Sequence, residues 1–227
     1  MAKHSNLSIF IPHIGCPHRC SFCDQHVISG TQQAPTPEAV AALCRETLLH
    51  VKHPEQMEIA FFGGSFTAIP ADYRRALLEC VQPFLGDGKF AGIRISTRPD
   101  AITASILQEL CAAGVTAVEL GAQSMVDSVL QQNQRGHTAQ DVQDASRQIQ
   151  QFGLELGLQM MIGLLGSTMQ AEWDTLHALL AYKPDTMRFY PVVVLEETEL
   201  AQRYRNGSYS LYSMEQVLDF CADAWVE

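Results

Sequence analysis

Three of the seven cysteines lie within eight residues of one another, in the segment GCPHRCSFC at positions 15–23. Cys16, Cys20 and Cys23 have the spacing C-x3-C-x2-C, whereas the other four cysteines are scattered along the chain. Thiolates bind zinc and iron–sulfur clusters, and a C-x2-C pair is also the reactive unit of dithiol oxidoreductases. The spacing therefore indicates metal or redox chemistry near the amino terminus.

Two chemistries use only part of this segment. A dithiol pair of Cys20 and Cys23 would need a helix N-terminus to lower the thiol pKa, and it leaves Cys16 without a role. A zinc site needs four ligands. Imidazoles at positions 13, 18 and 26 (His13, His18 and His26) could complete one, but the chain has no second C-x2-C pair.

A four-iron cluster bound by three thiolates would use all three cysteines and leave one iron open to a substrate or cofactor. The remaining thiols need no such chemistry, because free cysteine is a common small core residue. They lie on apolar stripes of predicted helices and are expected to be structural: Cys44, Cys80, Cys111 and Cys221.

The composition is that of a globular protein, with 47% hydrophobic and 18% charged residues among 227. A net charge of −10 argues against broad, nonspecific binding to nucleic acid. The sequence contains no run of about 18 apolar residues, so no membrane span is predicted. The first residues also lack the pattern of a secretory signal. An odd number of mostly scattered cysteines is not a disulfide framework, so we expect a reducing, cytoplasmic setting.

Short apolar runs alternate with helical patterns along the whole chain. Strands are predicted at 7–14, 57–62, 91–96, 115–121, 156–162 and 186–191. Helices are predicted near 36–52, 70–85, 103–113, 138–152 and 170–182, with a last one from 213. This alternation predicts parallel pairing with right-handed crossovers.

Six such units are fewer than the eight of a complete barrel, which needs roughly 250 residues. The expected fold is therefore an α/β, partial (β/α)6 TIM-like barrel that forms a single domain over residues 1–227. The last helical pattern carries an apolar stripe and has no stop signal before Glu227. From this we expect the natural protein to continue beyond Glu227.

Glycines and polar residues follow the predicted strands, at the edge where parallel barrels place their active sites. Gly63, Gly64 and Ser65 follow the second strand, and Ser96 ends the third. Strand parity puts Glu119, Gly121 and Gln123 on the inner face of the fourth strand. A buried Glu119 would need a partner; a structural pair with Arg94 or Arg188 and a substrate role remain open.

Later segments add further candidates. Arg135 precedes a helix in the segment NQRGH, and an arginine fork suits a carboxylate; His137 of the same segment is expected to be structural. Gln159, Met161 and Gly163 share one face of the fifth strand, and Arg188 and Tyr190 share one face of the sixth.

These motifs, in this order along the chain, resemble the radical S-adenosylmethionine (SAM) superfamily. The resemblance implies that Cys16, Cys20 and Cys23 bind a 4Fe-4S cluster whose open iron chelates SAM. One electron from the cluster would then cleave SAM to a 5′-deoxyadenosyl radical, which abstracts hydrogen from a substrate. A zinc-stabilised binding module and a SAM-binding scaffold without redox activity are the alternatives.

The resemblance also implies roles for the other candidates. Phe22 corresponds to an aromatic residue before the third cysteine, and the Gly-Gly pair with Ser65 corresponds to the element that receives the SAM amino group. Gln123 would contact the SAM ribose and Arg135 its carboxylate. Gly163 would lie on the strand that binds the adenine of SAM. The residues expected to bind the cofactor are then Phe22, Gly63, Gly64, Ser65, Ser96, Gln123, Arg135, Gln159 and Gly163.

Six segments resemble, more narrowly, the radical SAM core of the Elongator catalytic subunit and its bacterial relatives. They are FFGGSFTAIP, STRPDAI, VELGAQS, QRGHT, GLQMMIGLLGST and RFYPVVVLEETELAQRY. This resemblance implies a tRNA substrate, for which the acidic composition offers no support of its own. It also implies a one-electron donor such as flavodoxin or ferredoxin.

Overall fold

The computed structural model describes residues 5–12, 14–16, 20–30 and 33–227. Its centre is one six-stranded parallel sheet in which every strand pairs with the next strand along the chain. The strands are β1 (Ser5–Ile11), β2 (Met57–Gly63), β3 (Gly92–Thr97), β4 (Val115–Gln123), β5 (Glu155–Ile162) and β6 (Thr186–Pro191). The sheet curls into an open half-barrel, which confirms the predicted partial barrel.

Helices connect successive strands. The α-helices are α1 (Gln25–Ser29), α2 (Pro37–His50), α3 (Ala71–Val81), α4 (Ala104–Ala112), α5 (Asp127–Gln132), α6 (Ala139–Gln151), α7 (Met169–Leu180), α8 (Glu199–Arg205) and α9 (Met214–Ala224). The six long helical patterns correspond to α2, α3, α4, α6, α7 and α9. Three short helices, α1, α5 and α8, were not predicted from the sequence.

Local sequence explains where the long helices begin. Thr36 caps α2 by accepting the Ala39 N–H, and Pro37 occupies the first turn, where no N–H is needed. Thr138 and Asp141 form a reciprocal capping box at the start of α6. These caps satisfy N–H groups that a helix leaves without a partner inside itself.

The outer face of the sheet packs against the helices and forms the hydrophobic core. Ile59 and Phe61 of β2, and Leu120 of β4, are fully buried in it together with Leu77 of α3. Burial of such side chains is the main favourable contribution to folding. Because side chains alternate along a strand, the residues between these face the inside of the half-barrel.

Charged side chains fill the inside of the half-barrel below its carboxyl-terminal edge. Arg94 donates to Glu58 Oε2 at 2.7 Å, to Glu155 Oε2 at 2.9 Å and to Glu119 Oε1 at 3.4 Å. Arg188 reaches the same Glu119 oxygen at 2.7 Å. Of the two alternatives for the buried Glu119, the structure shows the ion pair, and with both arginines. We call Glu58, Arg94, Glu119, Glu155 and Arg188 the charged floor.

None of the helices in the described ranges combines the length and the hydrophobicity of a membrane span. The expectation of a single domain over residues 1–227 stays a prediction. It agrees with the pairing of β6 to β5 over Gly157↔Thr186 to Ile162↔Pro191, which places both strands in one sheet.

Replacing Arg94 tests the charged floor. Arg94→Met removes the cation and leaves Glu58 and Glu119 buried with fewer partners, so we expect a loss of about 3–5 kcal/mol in the free energy of unfolding. Urea denaturation measures it. The control is Arg75→Met, whose exposed pair with Asp72 should contribute little; equal losses in the two variants would contradict the role of the floor.

Candidate functional site

Two adjoining cavities open at the carboxyl-terminal edge of the sheet. The smaller, about 150 Å³ and here called the cysteine cavity, is lined by all three cysteines of the amino-terminal segment. Ten of the twelve sequence-predicted site residues line it: Cys16, Cys20, Phe22, Cys23, Gly63, Gly64, Ser96, Gln123, Arg135 and Gln159. The topology has thus brought residues from four strand ends and two loops to one place.

The larger cavity, about 560 Å³ and here called the barrel cavity, shares seven lining residues with the first: Phe22, Cys23, Gln25, Gly63, Ser96, Gln123 and Gln159. Its other walls are mainly apolar and include Phe10, Phe62, Met161 and Tyr190. Arg188 also lines it, with its guanidinium carbon 5.6 Å from the centre of the Phe62 ring. A molecule in one cavity would therefore be in contact with a molecule in the other.

The loop that carries the cysteines is short and is fastened at its end. The Cys23 N–H donates to the Cys20 carbonyl at 3.1 Å. Asp24 then caps α1 by accepting the N–H groups of His26 and Val27. Gln25 ties this helix to the end of β2 by donating to the Gly63 carbonyl at 2.9 Å.

Cys16 and Cys23 sit in an environment that disfavours their uncompensated thiolates. Burial raises the pKa of Cys23 to about 12, the neighbouring Cys20 and Cys16 add to the rise, and Arg135 opposes it. Burial is also the main cause of the raised pKa of Cys16. Three thiolates would be stable together only with added positive charge, which is what a bound metal cluster supplies.

Arg135 links the cysteine loop to the end of β4. Its guanidinium donates to Cys20 Sγ at 3.1 Å and to the Gly121 carbonyl at 2.6 Å, and it lies 6.0 Å from the Phe22 ring centre. The buried Nε of Arg135 has no hydrogen-bond partner among the residues that the structure describes. A buried donor without a partner is costly unless a ligand completes it.

Gln123 occupies strained backbone at the same edge. Its φ is +67°, a backbone angle that residues other than glycine rarely adopt. Gln123 also follows a shift in the register between β4 and β5. Its Oε1 is buried and lacks a hydrogen-bond partner within the described ranges. Strain and an unpartnered acceptor at one residue are typical of a ligand-binding position.

Gly63, the last residue of β2, and Gly64 are required by close packing. A Cβ at Gly64 would lie 2.2 Å from the Ile14 carbonyl oxygen, and one at Gly63 would lie 2.6 Å from that of Ile11. Ser65, next in the chain, is fully buried and lines neither cavity. Its hydroxyl bonds Thr97 Oγ1 at 2.7 Å and accepts the Arg98 N–H, so it braces β2 against β3.

Gly163 also lies outside the linings of both cavities. Its N–H donates to Glu172 Oε1 at 2.8 Å, and its carbonyl accepts from the Tyr209 hydroxyl at 2.7 Å. Both backbone groups that could meet an adenine are therefore bonded within the protein. Ligand roles for Ser65 and Gly163 remain predictions that these contacts do not support.

Sequence reasoning missed several residues of the site. Gln25 and Thr97 line the cysteine cavity, and Asn133 supports its loop from behind. Asn133 lies in the segment NQRGH, which the sequence singles out for Arg135, but its own burial is seen only in the structure. Gln25 has no sequence signal, because its position depends on a short helix that the pattern did not predict.

The zinc alternative gains no further ligand. His13 and His18 lie outside the described residues, and His26 lines neither cavity. Among the residues described, no three His, Cys, Asp or Glu side chains are grouped to bind a single metal ion. Ligands to three different irons of one cluster need not converge on one point as ligands to a single ion must.

Comparison with sequence families decides the assignment. The model of the radical SAM superfamily matches residues 10–179, which is most of the chain and includes every cavity-lining cysteine. The chain belongs to the radical SAM superfamily. A second model, the radical SAM C-terminal domain, matches residues 184–227. The expected superfamily and its enzymatic nature are thereby confirmed.

The curated relatives of this radical SAM chain include enzymes named for tRNA. It is 27% identical to a tRNA uridine(34) acetyltransferase of Methanocaldococcus jannaschii over 79% of its own length and 37% of the relative's. It is 26% identical to one of Dehalococcoides mccartyi, over 96% and 55%. It is 25% identical to Elongator complex protein 3 of Homo sapiens, over 74% and 34%. The chain spans only about a third to a half of these relatives.

Solved structures show the same fold. The archaeal Elp3 of Methanocaldococcus infernus, with an N-terminal deletion, superposes with a TM-score of 0.77 at 21% identity, over 99% of this chain and 54% of that one. Coproporphyrinogen III oxidase of Escherichia coli gives 0.67 at 19% identity, over 97% and 51%. At these identities the likeness concerns the fold.

His137 makes the stability of the site depend on pH. Burial lowers its pKa to about 4, Arg135 and Arg98 add to this, and the Ala122 carbonyl and Asp100 oppose it. The unfolded chain therefore takes up the proton first. Stability that is complete above pH 6.5 should fall as the pH drops toward 4, by on the order of 3 kcal/mol.

His137→Gln separates this effect from other titrations, since its amide can still donate to the Ala122 carbonyl. We expect the difference in unfolding free energy between wild type and variant to shrink or reverse from pH 7 to pH 4.5, as measured by urea denaturation at each pH. A difference that does not change with pH would contradict the buried, neutral state of His137.

Proposed function

We propose that this chain binds a 4Fe-4S cluster through Cys16, Cys20 and Cys23 and acts on its substrate by SAM-dependent radical chemistry. The proposal rests on one observation: three thiols surround one cavity together with the Arg135 Nε and the Gln123 Oε1, neither of which has a hydrogen-bond partner among the described residues. When bound, the cluster and SAM would supply an electron and the 5′-deoxyadenosyl radical that abstracts a substrate hydrogen.

The protein's own groups suit the parts of such a cofactor. Arg135 offers a buried cation whose Nε donor is left over by the described residues, which suits a carboxylate. Gln123 offers a side-chain carbonyl oxygen that the same residues leave without a donor, which suits a ribose hydroxyl. Gln159 donates its amide to Glu119 Oε2 at 2.7 Å, so the charged floor fixes its orientation where it lines both cavities.

The barrel cavity would hold the substrate next to the cofactor. The two cavities share seven lining residues, so a bound substrate needs no long channel to reach the reacting atom. Apolar walls from Phe10, Phe62 and Met161 would exclude water, which protects a reactive radical from side reactions. Positioning and desolvation are the contributions that the protein itself makes to such chemistry.

For the substrate we propose a uridine of tRNA. The support is the set of curated relatives named tRNA uridine(34) acetyltransferase or Elongator complex protein 3, which this chain matches over 74–96% of its length.

We further propose a cytoplasmic enzyme, a single-domain core and reduction by a one-electron donor such as flavodoxin or ferredoxin. Seven cysteines without a disulfide agree with a reducing compartment.

The cluster assignment predicts the behaviour of cysteine variants. Anaerobic reconstitution of the wild type should give about four irons and four sulfides per chain, a brown absorbance and, with SAM and dithionite, release of 5′-deoxyadenosine. Cys20→Ala should abolish all of these. Cys80→Ala, which removes a thiol outside both cavities, should retain them. Full 5′-deoxyadenosine release by Cys20→Ala, or one zinc in place of iron in the wild type, would refute the proposal.

The substrate assignment predicts isotope transfer. Because the relatives are named acetyltransferases, we also propose an acetyl donor as a second substrate. We test tRNA with a deuterated uridine 34 and a deuterated acetyl donor in turn, and the reconstituted enzyme should move deuterium from one of them into 5′-deoxyadenosine, as detected by mass spectrometry. The Cys20→Ala protein is the negative control. Uncoupled release of unlabelled 5′-deoxyadenosine, unchanged on adding tRNA, would argue for a different substrate.

A further inference from the structure

Asn133, which follows helix α5, is fully buried although it is a polar residue, and it bonds to three separate parts of the fold. Its Oδ1 accepts from the Ser21 hydroxyl at 3.0 Å, and its backbone carbonyl accepts the Ser21 N–H at 3.2 Å. Its Nδ2 donates to the carbonyls of Val129 at 2.8 Å and Leu165 at 2.9 Å. Full satisfaction at a buried amide makes this a specific, rigid contact.

The partner of Asn133 lies in the middle of the cysteine loop. Ser21 separates Cys20 from Phe22 and Cys23, and only 2% of it is exposed. Its own carbonyl accepts the Leu200 N–H of α8 at 2.8 Å. Ser21 is thus held at its N–H, hydroxyl and carbonyl, and all three contacts cross more than a hundred residues of sequence.

The segment that contains Asn133 joins this loop to the end of β4. Residues 133, 135 and 137 are buried, and the residues between them are exposed. Arg135 reaches Cys20 Sγ and the Gly121 carbonyl, while the ring Nε2 of His137 bonds the Ala122 carbonyl at 3.1 Å. Asn133 and His137 both lie outside the linings of the two cavities, and of these two only Asn133 bonds the cysteine loop.

The described residues between β1 and α1 form no regular element. They contain two backbone hydrogen bonds, from the Ile14 N–H to the Pro12 carbonyl and from the Cys23 N–H to the Cys20 carbonyl. Ordering a flexible loop costs about 1–2 kcal/mol per residue in backbone entropy. If the loop is already ordered in the free protein, this entropy is not lost when the ligand binds, and the affinity is higher.

We propose that Asn133 is a positioning residue that holds the cysteine loop in its ligating conformation before the cluster is inserted. Cluster affinity then depends on a side chain that contacts neither cluster nor SAM. This inference rests on the proposed function for its consequence, but its structural part concerns the metal-free protein and can be tested there.

The test uses the full chain in its metal-free form first. Ser21→Ala removes the hydroxyl bond to Asn133, and Asn133→Ser shortens the side chain that makes it. The matched control is Ser146→Ala, which removes an equally buried serine hydroxyl bonded to the Val142 carbonyl inside α6. A second control is Gln131→Ala, which changes an exposed residue of α5 two positions before Asn133.

Hydrogen exchange read by mass spectrometry should show faster exchange at residues 21–23 and at Leu200 in both loop variants, by about tenfold, and no such change in either control. The melting temperatures of Ser21→Ala and Ser146→Ala should be similar. After anaerobic reconstitution, a chelator should then remove iron from Ser21→Ala about tenfold faster than from wild type and from Ser146→Ala.

Unchanged loop exchange in Ser21→Ala, or faster exchange without faster iron loss, would overturn the proposal. If Asn133→Ser does not fold, Ser21→Ala decides alone, because it deletes only one oxygen atom. If wild type takes up no cluster, the proposed function fails; the exchange data on the metal-free protein would still support or overturn the positioning of the loop by Asn133.

Discussion

The guanidinium of Arg135 bridges two parts of the chain that the rest of the site needs to have together. One N–H meets Cys20 Sγ and another meets the Gly121 carbonyl, so the cysteine loop is fixed to the end of the fourth strand. Arginine can do this because its planar fork presents several donors in fixed directions. Arg135 thereby joins the loop that carries the thiols to the strand that carries Gln123 through one charged group.

The position of this bridge follows from the sheet topology. All six strands are parallel and in sequence order, so their carboxyl ends form a single curved edge. Polar residues far apart in sequence, such as Ser96, Gln123 and Gln159, meet there without any long loop. Below the edge, Glu119 pairs with Arg94 and Arg188 and also orients Gln159. The charged floor therefore stabilises the barrel interior and sets the geometry of the cavity above it.

Sequence periodicity was sufficient for the sheet and for most of the site. Each predicted strand is present, with ends within three residues of the observed ones, because buried parallel strands are short apolar runs that turns and helices separate. The cysteines and the strand-end residues were found because residues at the same edge must be neighbours in a parallel barrel. Parity on β4 also identified the inward-facing Glu119 and its two candidate arginines.

The sequence could not predict which hydrogen-bond partner a polar group takes when contacts from distant parts of the chain compete with a ligand for it. Ser65 follows the same Gly-Gly pair that lines the cysteine cavity, yet its hydroxyl is taken by Thr97 and the Arg98 N–H. Gly163 follows the face of β5 that includes Gln159, yet Glu172 and Tyr209 bind both of its backbone groups. Most of these partners come from other segments of the chain, and the local sequences SFTAIP and GLLGST do not predict them.

The same competition explains why the supporting residues are harder to find than the ligating ones. A thiolate ligand is recognisable because few other roles demand three cysteines at that spacing, whereas a buried asparagine is compatible with many structural roles. Asn133 becomes informative only through its partner, because Ser21 lies between two of the cysteines. Under the proposal, its hydrogen bonds to Ser21 order the cysteine loop, and ordering that precedes ligand binding lowers the entropy lost when the ligand arrives. On this reasoning the residues that decide whether a cluster is retained extend beyond those that touch it, to whichever side chains hold the loop still.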